Sequence, residues 1–310
     1  LENIRIDERT VVALGNFDGV HIGHRTILEG AVSAACRMGI AAACYTFSNH
    51  PVNYFWKKSG KEGEGVKLIC TEEDKLALLE ELGFDYVINV EFNDYIANMS
   101  PRAFVEDILS EKLNADMVCC GFNYTFGARA EGNVDFLKQK GDELAIEVSV
   151  HDAVELDGET VSSTLIRKLI AAGDMEKVNR CLGRAYTLSG TVVHGNHIGN
   201  RIGFPTMNIS APLSIALPPN GVYFTRAYLD GKCYSAISNL GVKPTIGEHL
   251  KSIETFLFDY EGDAYGSDIR VEFLVWERPE CKFESVEALR ERIALDCKMA
   301  EEYHRNSFKK

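Results

Sequence analysis

The first half of the chain alternates short apolar runs with segments of helical spacing. The apolar runs, each of strand length, lie at 11–14, 40–47, 86–90, 116–121 and 145–150. Segments in which apolar residues recur at intervals of three and four lie at 25–38, 72–82, 103–113, 163–172 and 174–182. Thr71 and Ser100 precede two of these segments and are typical helix N-caps. Strands that alternate with helices predict a parallel sheet covered on both faces.

After Gly183 the pattern changes to β-rich runs separated by Gly, Pro and Asn. These runs lie at 186–193, 221–228, 233–239, 252–259 and 269–276, and they predict a small antiparallel barrel. A last segment from Ser285 predicts a helix packed over the barrel, because one face holds Val286, Leu289, Ile293, Cys297 and Ala300. The predicted fold class is therefore α/β followed by β, with domains at 1–183 and 184–310.

Composition excludes several classes of protein. A chain of 310 residues supports two cores, and 45% hydrophobic with 25% charged residues is ordinary for a globular protein. No apolar run reaches membrane-spanning length and 1–10 carries no secretory pattern, so we expect no membrane partner and a cytoplasmic location. The nine cysteines form no C-x-x-C pair, which favours buried thiols in a reducing compartment.

The charge balance bears on partners. A net charge of −13 argues against a nucleic-acid partner, since such binding depends on basic residues that neutralise phosphates. An acidic enzyme that binds ATP needs local basic groups, helix N-termini and a divalent cation to offset its own negative field. We therefore expect small-molecule partners, and the sequence does not indicate an oligomeric state.

The first candidate site follows the first strand, in the string Gly15-Asn16-Phe17-Asp18-Gly19-Val20-His21-Ile22-Gly23-His24. Two imidazoles three residues apart can both face a triphosphate, and Gly23 between them lets the backbone approach a ligand. The helix start adds free N–H groups. A turn that holds two histidines by chance is the weaker alternative, because the whole string is long. The pattern predicts a nucleotide-binding site for phosphate transfer.

One further loop belongs to the same predicted site. Ligands of parallel sheets bind beyond the carboxyl ends of the strands. The loop 121–127, with Asn123, follows another strand and is expected to converge on the first loop, and His50 borders the same edge. The segment 57–66 is rich in Lys, Glu and Gly and predicts a mobile loop.

A phosphate clamp is predicted at the start of the segment 163–172. Ser163, Thr164 and Arg167 share a face of one helical turn, and hydroxyls with a guanidinium bind phosphate oxygens. A capped helix with a solvated arginine is the alternative. The paired histidines in the same domain favour the clamp.

The barrel half carries a glycine-rich loop with Gly195 and Gly203, which runs into Phe204-Pro205-Thr206-Met207-Asn208. Such a loop can wrap phosphates, and Thr206 and Asn208 project to one side of an extended segment. Hydroxyl and amide oxygens suit Mg²⁺ together with substrate phosphates. A glycine-rich hairpin with surface polar residues stays open as the alternative.

Glu254 is out of character in the apolar strand around it. Such a carboxylate is either solvated on an edge strand or retained for chemistry, and the sequence weighs the two equally. As a base it could deprotonate a substrate hydroxyl. No Walker A sequence occurs, and Gly63-Glu64-Gly65 lacks the third glycine of a dinucleotide fingerprint, which disfavours P-loop and Rossmann dehydrogenase readings.

Taken together, these residues resemble the bacterial bifunctional riboflavin kinase and FAD synthetase family over nearly the whole chain. The resemblance rests on the string 15–24, on Val161-Ser162-Ser163-Thr164 with Arg167, on 203–208, on Asn239-Leu240-Gly241-Val242-Lys243-Pro244-Thr245, and on Glu254-Thr255. It implies a Rossmann-like nucleotidyltransferase domain followed by a riboflavin kinase barrel.

The resemblance also implies two reactions. The barrel would pass the γ-phosphate of ATP to riboflavin, with Glu254 as base and Thr206 and Asn208 near Mg²⁺. The first domain would join FMN to the AMP part of ATP and release pyrophosphate, with His21 and His24 stabilising the phosphates. The expected cofactor is Mg²⁺, with ATP, riboflavin, FMN and FAD as substrates or products. The expected binding residues are Gly15, Asn16, Phe17, Asp18, Gly23, Asn123, Ser163, Thr164, Arg167, Gly195, Gly203, Pro205 and Asn239.

Some positions depart from the commonest family pattern, and two other functions stay open. The departures lie at Ser48, Asn49, Asn123, Thr125 and Asn200, the last followed by Arg201. One alternative keeps only the adenylyltransferase, with a barrel that merely binds flavin. The other is a flavin-binding carrier or sensor, against which the paired histidines and the phosphate clamp count.

Overall fold

Contacts divide the chain after Leu165 into two compact units. The computed structural model describes residues 4–61, 65–195, 199, 203–242 and 251–307. Within that part of the chain, no helix combines the length and the apolar character needed to cross a membrane.

The first unit is built on a five-stranded parallel sheet, as the alternating pattern predicts. Its strands are β1 (Thr10–Leu14), β2 (Ala41–Phe47), β3 (Tyr86–Val90), β4 (Ala115–Gly121) and β5 (Glu147–His151), in the spatial order β3-β2-β1-β4-β5. The helices are α1 (Ile22–Met38), α2 (Pro51–Lys58), α3 (Glu72–Glu81), α4 (Asp94–Asn98), α5 (Pro101–Ala103) and α6 (Val134–Leu144). A short hairpin joins β6 (Glu155–Leu156) to β7 (Glu159–Thr160).

The two faces of β1 contribute side chains to two separate hydrophobic cores. Val11 and Ala13 pack with α1 residues such as Leu28, while Val12 and Leu14 face the other cluster. All of β1 is buried, which explains its apolar run without alternation. The register aligns the carboxyl ends of β1, β2 and β4, so the loops that leave these strands meet at one edge of the sheet.

Local signals set several helix ends. His21 and Thr71 cap α1 and α3, and Ser100 caps α5, each by accepting a backbone N–H with its side chain. Gly39 ends α1 with a φ of 67°, a left-handed conformation that suits glycine. The predicted caps at Thr71 and Ser100 are confirmed.

Three local predictions for the first unit were wrong or incomplete. The segment after α5, Phe104–Lys112, forms i→i+5 hydrogen bonds instead of the predicted α-helical ones. The predicted loop 57–66 begins inside α2, a helix that a proline at its first turn supports and that was not predicted. Residues 62–64 of that loop lie outside the described residues. The helix α6 was missed.

The second unit is a nearly closed antiparallel barrel, as predicted. Its strands are β8 (Tyr186–Thr191), β9 (Met207–Ser210), β10 (Gly221–Leu229), β11 (Lys232–Val242), β12 (Lys251–Leu257) and β13 (Asp268–Pro279), in the order β8-β13-β10-β11-β12-β9. An isolated bridge between Val193 and Asn208 links the two ends of this order. Its helices are α7 (Ser163–Ala172), which begins in the first unit, α8 (Met175–Leu182) and α9 (Val286–Ser307).

The C-terminal helix covers the barrel with only part of its predicted stripe. Cys297 and Ala300 are buried against Val222, Phe224 and Ile237. Val286, by contrast, is 58% exposed, because the apolar contact lies along the later turns of α9. The helix α8 packs on β8 and β13. The predicted domain boundary after residue 183 stays a prediction.

Candidate active sites

The loop between β1 and α1 holds a strained backbone. Phe17 and Val20 have φ of 50° and 40°, values that L-residues rarely adopt, and both side chains are fully buried. Gly19, between them, has a φ of 81°. A Cβ at Gly15 would stand 2.7 Å from the ring of Phe17. Packing thus forces the loop into one shape and leaves no room for a side chain at residue 15.

The two histidines of the loop stack on each other. Their ring centroids are 3.6 Å apart with an interplanar angle of 18°, and Phe17 meets His24 edge-on at 5.4 Å. His21 Nδ1 accepts the backbone N–H of His24 at 3.2 Å and so caps α1. Because Nδ1 accepts, the neutral ring of His21 carries its proton on Nε2, which leaves that atom as the donor.

Burial keeps His24 neutral. Desolvation, followed by the nearby His21, lowers the pKa of His24 well below its usual value. Its Nδ1 has no hydrogen-bond partner among the described residues. The environment therefore disfavours a positive charge on this ring unless an anion is present beside it.

The N-terminus of α7 is tied to the histidine loop. Ser163 Oγ donates to the backbone oxygen of Asp18 at 3.1 Å, and Ser162 Oγ accepts from the backbone N–H of Leu165 at 3.2 Å. The side chain of Asp18 accepts the Ile69 N–H at 2.9 Å. The starts of α1 and α7 thus lie together, and both carry the positive end of a helix dipole.

The remaining clamp residues follow along α7. Thr164 is exposed and Arg167 is half-buried. Arg167 lies one helical turn after Ser163, in the part of α7 that groups with the second unit. The predicted binding roles of these residues stay predictions.

A cavity of about 490 Å³ opens beside this loop. The structure brings the two predicted loops to its wall: Gly15, Asn16, Phe17 and His24 come from the first, and Gly121, Asn123, Tyr124, Thr125, Phe126 and Gly127 from the second. His21, Asp18, Gly23, Ser163, Thr164 and Arg167 do not line it. The cavity is therefore a neighbour of the helix N-termini, separate from the predicted clamp.

Aromatic side chains that the sequence analysis missed line the same cavity. They are Phe47, Phe55, Phe92 and Phe104, which join Tyr124 and Phe126. Burial raises the pKa of Tyr124 well above its usual value, so its hydroxyl stays protonated. Phe47 ends β2 and Phe92 follows β3. Their positions at the carboxyl ends of parallel strands were the sequence signal that could have placed them at the site. Such a wall suits a flat aromatic ligand.

A buried lysine stands behind the loop. Lys75 on α3 is 6% exposed, and its Nζ donates to the backbone oxygen of Phe47. Burial lowers its pKa. It lines a small cavity with Asn16, Asp18 and His50, and His50 itself caps α2. The sequence analysis assigned Lys75 no role.

The departure at Asn49 has a structural account. Its Nδ2 donates to the Phe92 oxygen at 3.0 Å, and its Oδ1 accepts the Phe92 N–H at 2.7 Å. These two bonds tie the loop after β2 to the segment after β3. Nothing in the structure explains the departure at Ser48.

Glu254 sits in the interior of the barrel sheet. Its strand β12 pairs with β11 on one side and β9 on the other, so the alternative of an edge strand is wrong. The register sets Glu254 directly opposite Asn239 and directly opposite Asn208. Directly paired residues share a face of the sheet. A carboxylate is thus flanked by two amides on one face.

Thr206 stands between two cavities of the barrel. One, of about 400 Å³, is lined by Thr206, Asn239 and Glu254 among others. The second, of about 330 Å³, is lined by Pro205 and Thr206 together with Tyr260 and Tyr265. Two ligands could therefore approach this residue from different sides.

Gly195 keeps the space beside Asn208 open. A Cβ at Gly195 would lie 2.5 Å from Asn208 Nδ2, and Asn208 is itself 4% exposed. Its Nδ2 donates to the Thr206 oxygen at 3.3 Å. Gly203 has a φ of 89°. Asn200 and Arg201, as well as Lys243, Pro244 and Thr245 of the quoted motif, lie outside the described residues.

The larger barrel cavity also holds charged residues that the sequence analysis did not single out. Arg278, Glu280 and Asp296 line it, next to Cys281 and Phe283. Among the described residues, no group of three His, Cys, Asp or Glu side chains could hold a metal ion. The predicted magnesium ligands are a hydroxyl and an amide, which belong to none of these residue types.

Comparisons with known proteins divide the chain in the same way. A model of the FAD synthetase family matches residues 3–165, and a model of the riboflavin kinase family matches residues 182–304. A protein of Bacillus subtilis named bifunctional riboflavin kinase/FMN adenylyltransferase is 35% identical over 96% of this chain and 93% of its own length. One of the same name from Haemophilus influenzae is 31% identical over 96% of both chains.

A solved structure shares the fold over nearly the whole length. The crystal structure of a protein described as a macrolide-efflux protein from Streptococcus pneumoniae has a TM-score of 0.86 and 27% identity, and the match covers 97% of this chain and 96% of that one.

The lowered pKa of His24 predicts an acid-sensitive first unit. Because the unfolded chain protonates this ring below about pH 6.5 and the folded state resists protonation, its contribution to stability is present above that pH and is lost as pH falls. His24→Asn should therefore lose less stability between pH 7.5 and pH 5.5 than the unsubstituted protein, as measured by urea unfolding of the first unit. His194, which is exposed and lies in the second unit, provides the control, because His194→Asn removes a histidine from outside the unit whose unfolding is measured. Equal pH dependence in all three proteins would contradict the assignment.

Proposed function

The chain belongs to the family of bifunctional riboflavin kinases/FMN adenylyltransferases, and we propose that it converts riboflavin to FMN and FMN to FAD. The first reaction transfers the γ-phosphate of ATP to the terminal ribityl hydroxyl of riboflavin. The second joins FMN to the AMP part of another ATP and releases pyrophosphate. One observation carries the proposal: each unit has its own cavity beside its own set of motif residues.

The adenylyltransferase reaction is assigned to the first unit. The triphosphate of ATP lies at the adjoining starts of α1 and α7, where backbone N–H groups and two helix dipoles meet. His21 Nε2 donates to phosphate oxygens, and His24 behind it fixes the ring by stacking. Ser163, Thr164 and Arg167 hold the leaving pyrophosphate. The flavin ring occupies the aromatic cavity.

Charge stabilisation suffices for this step. The phosphate of FMN attacks the innermost phosphorus of ATP, and the bond to pyrophosphate breaks. No covalent bond to the protein is needed, since positioning and donors aimed at the phosphates lower the barrier. An anion beside His24 also favours its protonation, which its buried position opposes in the free protein.

The kinase reaction is assigned to the barrel. Glu254 accepts the proton of the ribityl hydroxyl as that oxygen attacks the γ-phosphorus of ATP, and the bond from that phosphorus to the β–γ bridging oxygen breaks to release ADP. Asn208 and Asn239, directly paired with it, orient the carboxylate and the hydroxyl. Riboflavin lies in the cavity lined by Glu254, ATP lies in the cavity lined by Pro205, and Thr206 stands between them.

Magnesium is expected in the barrel, and the residues present fit it. A hydroxyl at Thr206, an amide oxygen at Asn208 and the carboxylate of Glu254 beside them are hard oxygen ligands, and Mg²⁺ takes few protein ligands when phosphates supply the rest. When bound, the ion would neutralise charge that develops on the transferred phosphate. Thr206 and Asn208 are the residues we assign to hold it.

Other expectations concern partners and location. We propose that ATP and flavins are the partners of this chain, that it binds neither nucleic acid nor membrane, and that it acts in the cytoplasm. The efflux role named for the streptococcal protein is not carried over, because the motif residues of both cavities fit the phosphate chemistry above.

Product analysis tests the proposal. Incubation of the protein with riboflavin, ATP and Mg²⁺, followed by chromatography of the flavins, should give FMN and FAD. Absence of both would reject the proposed function. FAD from supplied FMN but no product from riboflavin would leave only the adenylyltransferase, and tight flavin binding without ATP consumption would identify a carrier.

Removing the base should abolish one reaction only. Glu254→Gln keeps the side-chain shape but cannot accept the proton, so FMN formation should fall by about 10²- to 10⁴-fold. FAD formation from supplied FMN should persist, as measured by chromatography. FMN formation at the unsubstituted rate would exclude Glu254 as the base.

Changing His21 should have the reverse effect. His21→Asn keeps a side chain that caps helices well but removes the imidazole, so FAD formation should fall by about 10²-fold or more while FMN formation continues. His21→Ala removes both the imidazole and the cap, and thermal unfolding of the two variants separates the loss of the cap from the loss of chemistry. If Glu254→Gln and His21→Asn each abolished both reactions, the assignment of two sites would be wrong.

A further inference from the structure

A buried ion cluster lies on the wall of the cavity that holds Glu254. Asp296 on α9 is 1% exposed. Its carboxylate accepts from Arg278 Nε at 3.0 and 3.2 Å, from Arg278 Nη2 at 2.5 Å and from Arg292 Nε at 2.8 Å. Two guanidinium groups thus converge on one carboxylate, and the reaction described above uses none of the three.

Arg278 uses its hydrogen-bond donors within the protein. Besides Asp296, its Nη1 donates to the Pro279 oxygen at 3.0 Å and to Cys281 Sγ at 3.2 Å. The side chain therefore ties the end of β13 and the segment after it to the helix α9. With Asp296 it forms a planar two-point contact, which fixes direction as well as distance.

The cluster and the apolar core act on the same turns of α9. Cys297 and Ala300 are buried against the barrel, whereas Val286 and Leu295 are 58% and 47% exposed. Leu289 and Ile293, from the earlier turns, line the cavity. This wall of the cavity is thus held by the polar contacts of Asp296 together with the packing of Ile293, Cys297 and Ala300 against the barrel.

We propose that Asp296 is a positioning residue for riboflavin phosphorylation, which rests on the proposed function of the barrel. By holding Arg278 and Arg292, it sets α9 as the wall against which riboflavin lies. Riboflavin contacts this wall equally when it binds and when it reacts. The wall therefore affects the binding of riboflavin more than the chemical step at Glu254.

Steady-state kinetics test this role. Asp296→Asn keeps the size of the side chain but removes the charge that holds the two arginines. At saturating ATP, KM for riboflavin should rise by about tenfold or more, while kcat changes by less than about threefold, the pattern of a lost binding contact. A merely structural role would lower the active fraction, and hence kcat, with KM unchanged.

Matched variants separate the cluster from general ion-pair loss. Glu272, on the same strand β13 as Arg278, accepts from Arg226 Nε and Nη2 at 3.0 and 2.9 Å, and it does not line the cavity. Glu272→Gln removes this ion pair and should leave both KM for riboflavin and kcat unchanged. Asp296→Glu retains the carboxylate, so its KM for riboflavin should lie between that of the unsubstituted protein and that of Asp296→Asn. Arg292→Gln removes one contact of the cluster and should raise KM in the same direction by about threefold, which serves if Asp296→Asn does not fold.

The outcomes distinguish this proposal from the proposed function. If the unsubstituted protein makes no FMN, the function of the barrel is wrong. If it makes FMN and neither Asp296→Asn nor Arg292→Gln raises KM for riboflavin, or Glu272→Gln raises it equally, the positioning role of Asp296 is wrong.

Discussion

The negative charge of ATP is the constraint that both sites have to meet. The chain carries a net charge of −13, and each proposed reaction brings a triphosphate to it. In the proposed adenylyltransferase reaction, backbone dipoles and imidazoles of the first unit offset this charge, and the starts of α1 and α7 adjoin through the bond from Ser163 to Asp18. In the proposed kinase reaction, neutral oxygen ligands beside a carboxylate would hold a divalent cation that does so. The proposed function thus gives the two units different solutions to the same electrostatic problem.

Packing supplies the rigidity that these sites need. The positive φ of Phe17 and Val20 persists because both side chains are fully buried, and Asp18 is held by the Ile69 N–H. These contacts outweigh the backbone strain of the loop and so hold the histidines at a fixed place between sheet and helix. In the barrel, the direct pairing of Glu254 with neighbours on β9 and β11 does the same through strand register.

The sequence predicted the fold where a periodic or local signal existed, and the roles of the site residues stay predictions. The alternation of strands and helices, the caps at Thr71 and Ser100, and the change to a barrel all rest on such signals. No such signal indicated the interior position of Glu254, because one strand in isolation does not reveal how many neighbouring strands it has. The aromatic cavity wall and the cluster at Asp296 join residues distant in sequence, so only the fold brings them together. The i→i+5 winding of Phe104–Lys112 has no signal that we can identify.

The central claim is that the chain contains two sites that act independently, and a mixing experiment tests it most directly. We expect Glu254→Gln and His21→Asn each to lose one reaction, so neither protein alone should convert riboflavin efficiently to FAD. Mixed in solution with ATP and Mg²⁺, the two proteins should restore FAD formation from riboflavin, because FMN made by one is the substrate of the other. A mixture that forms no more FAD than either variant alone would contradict the account.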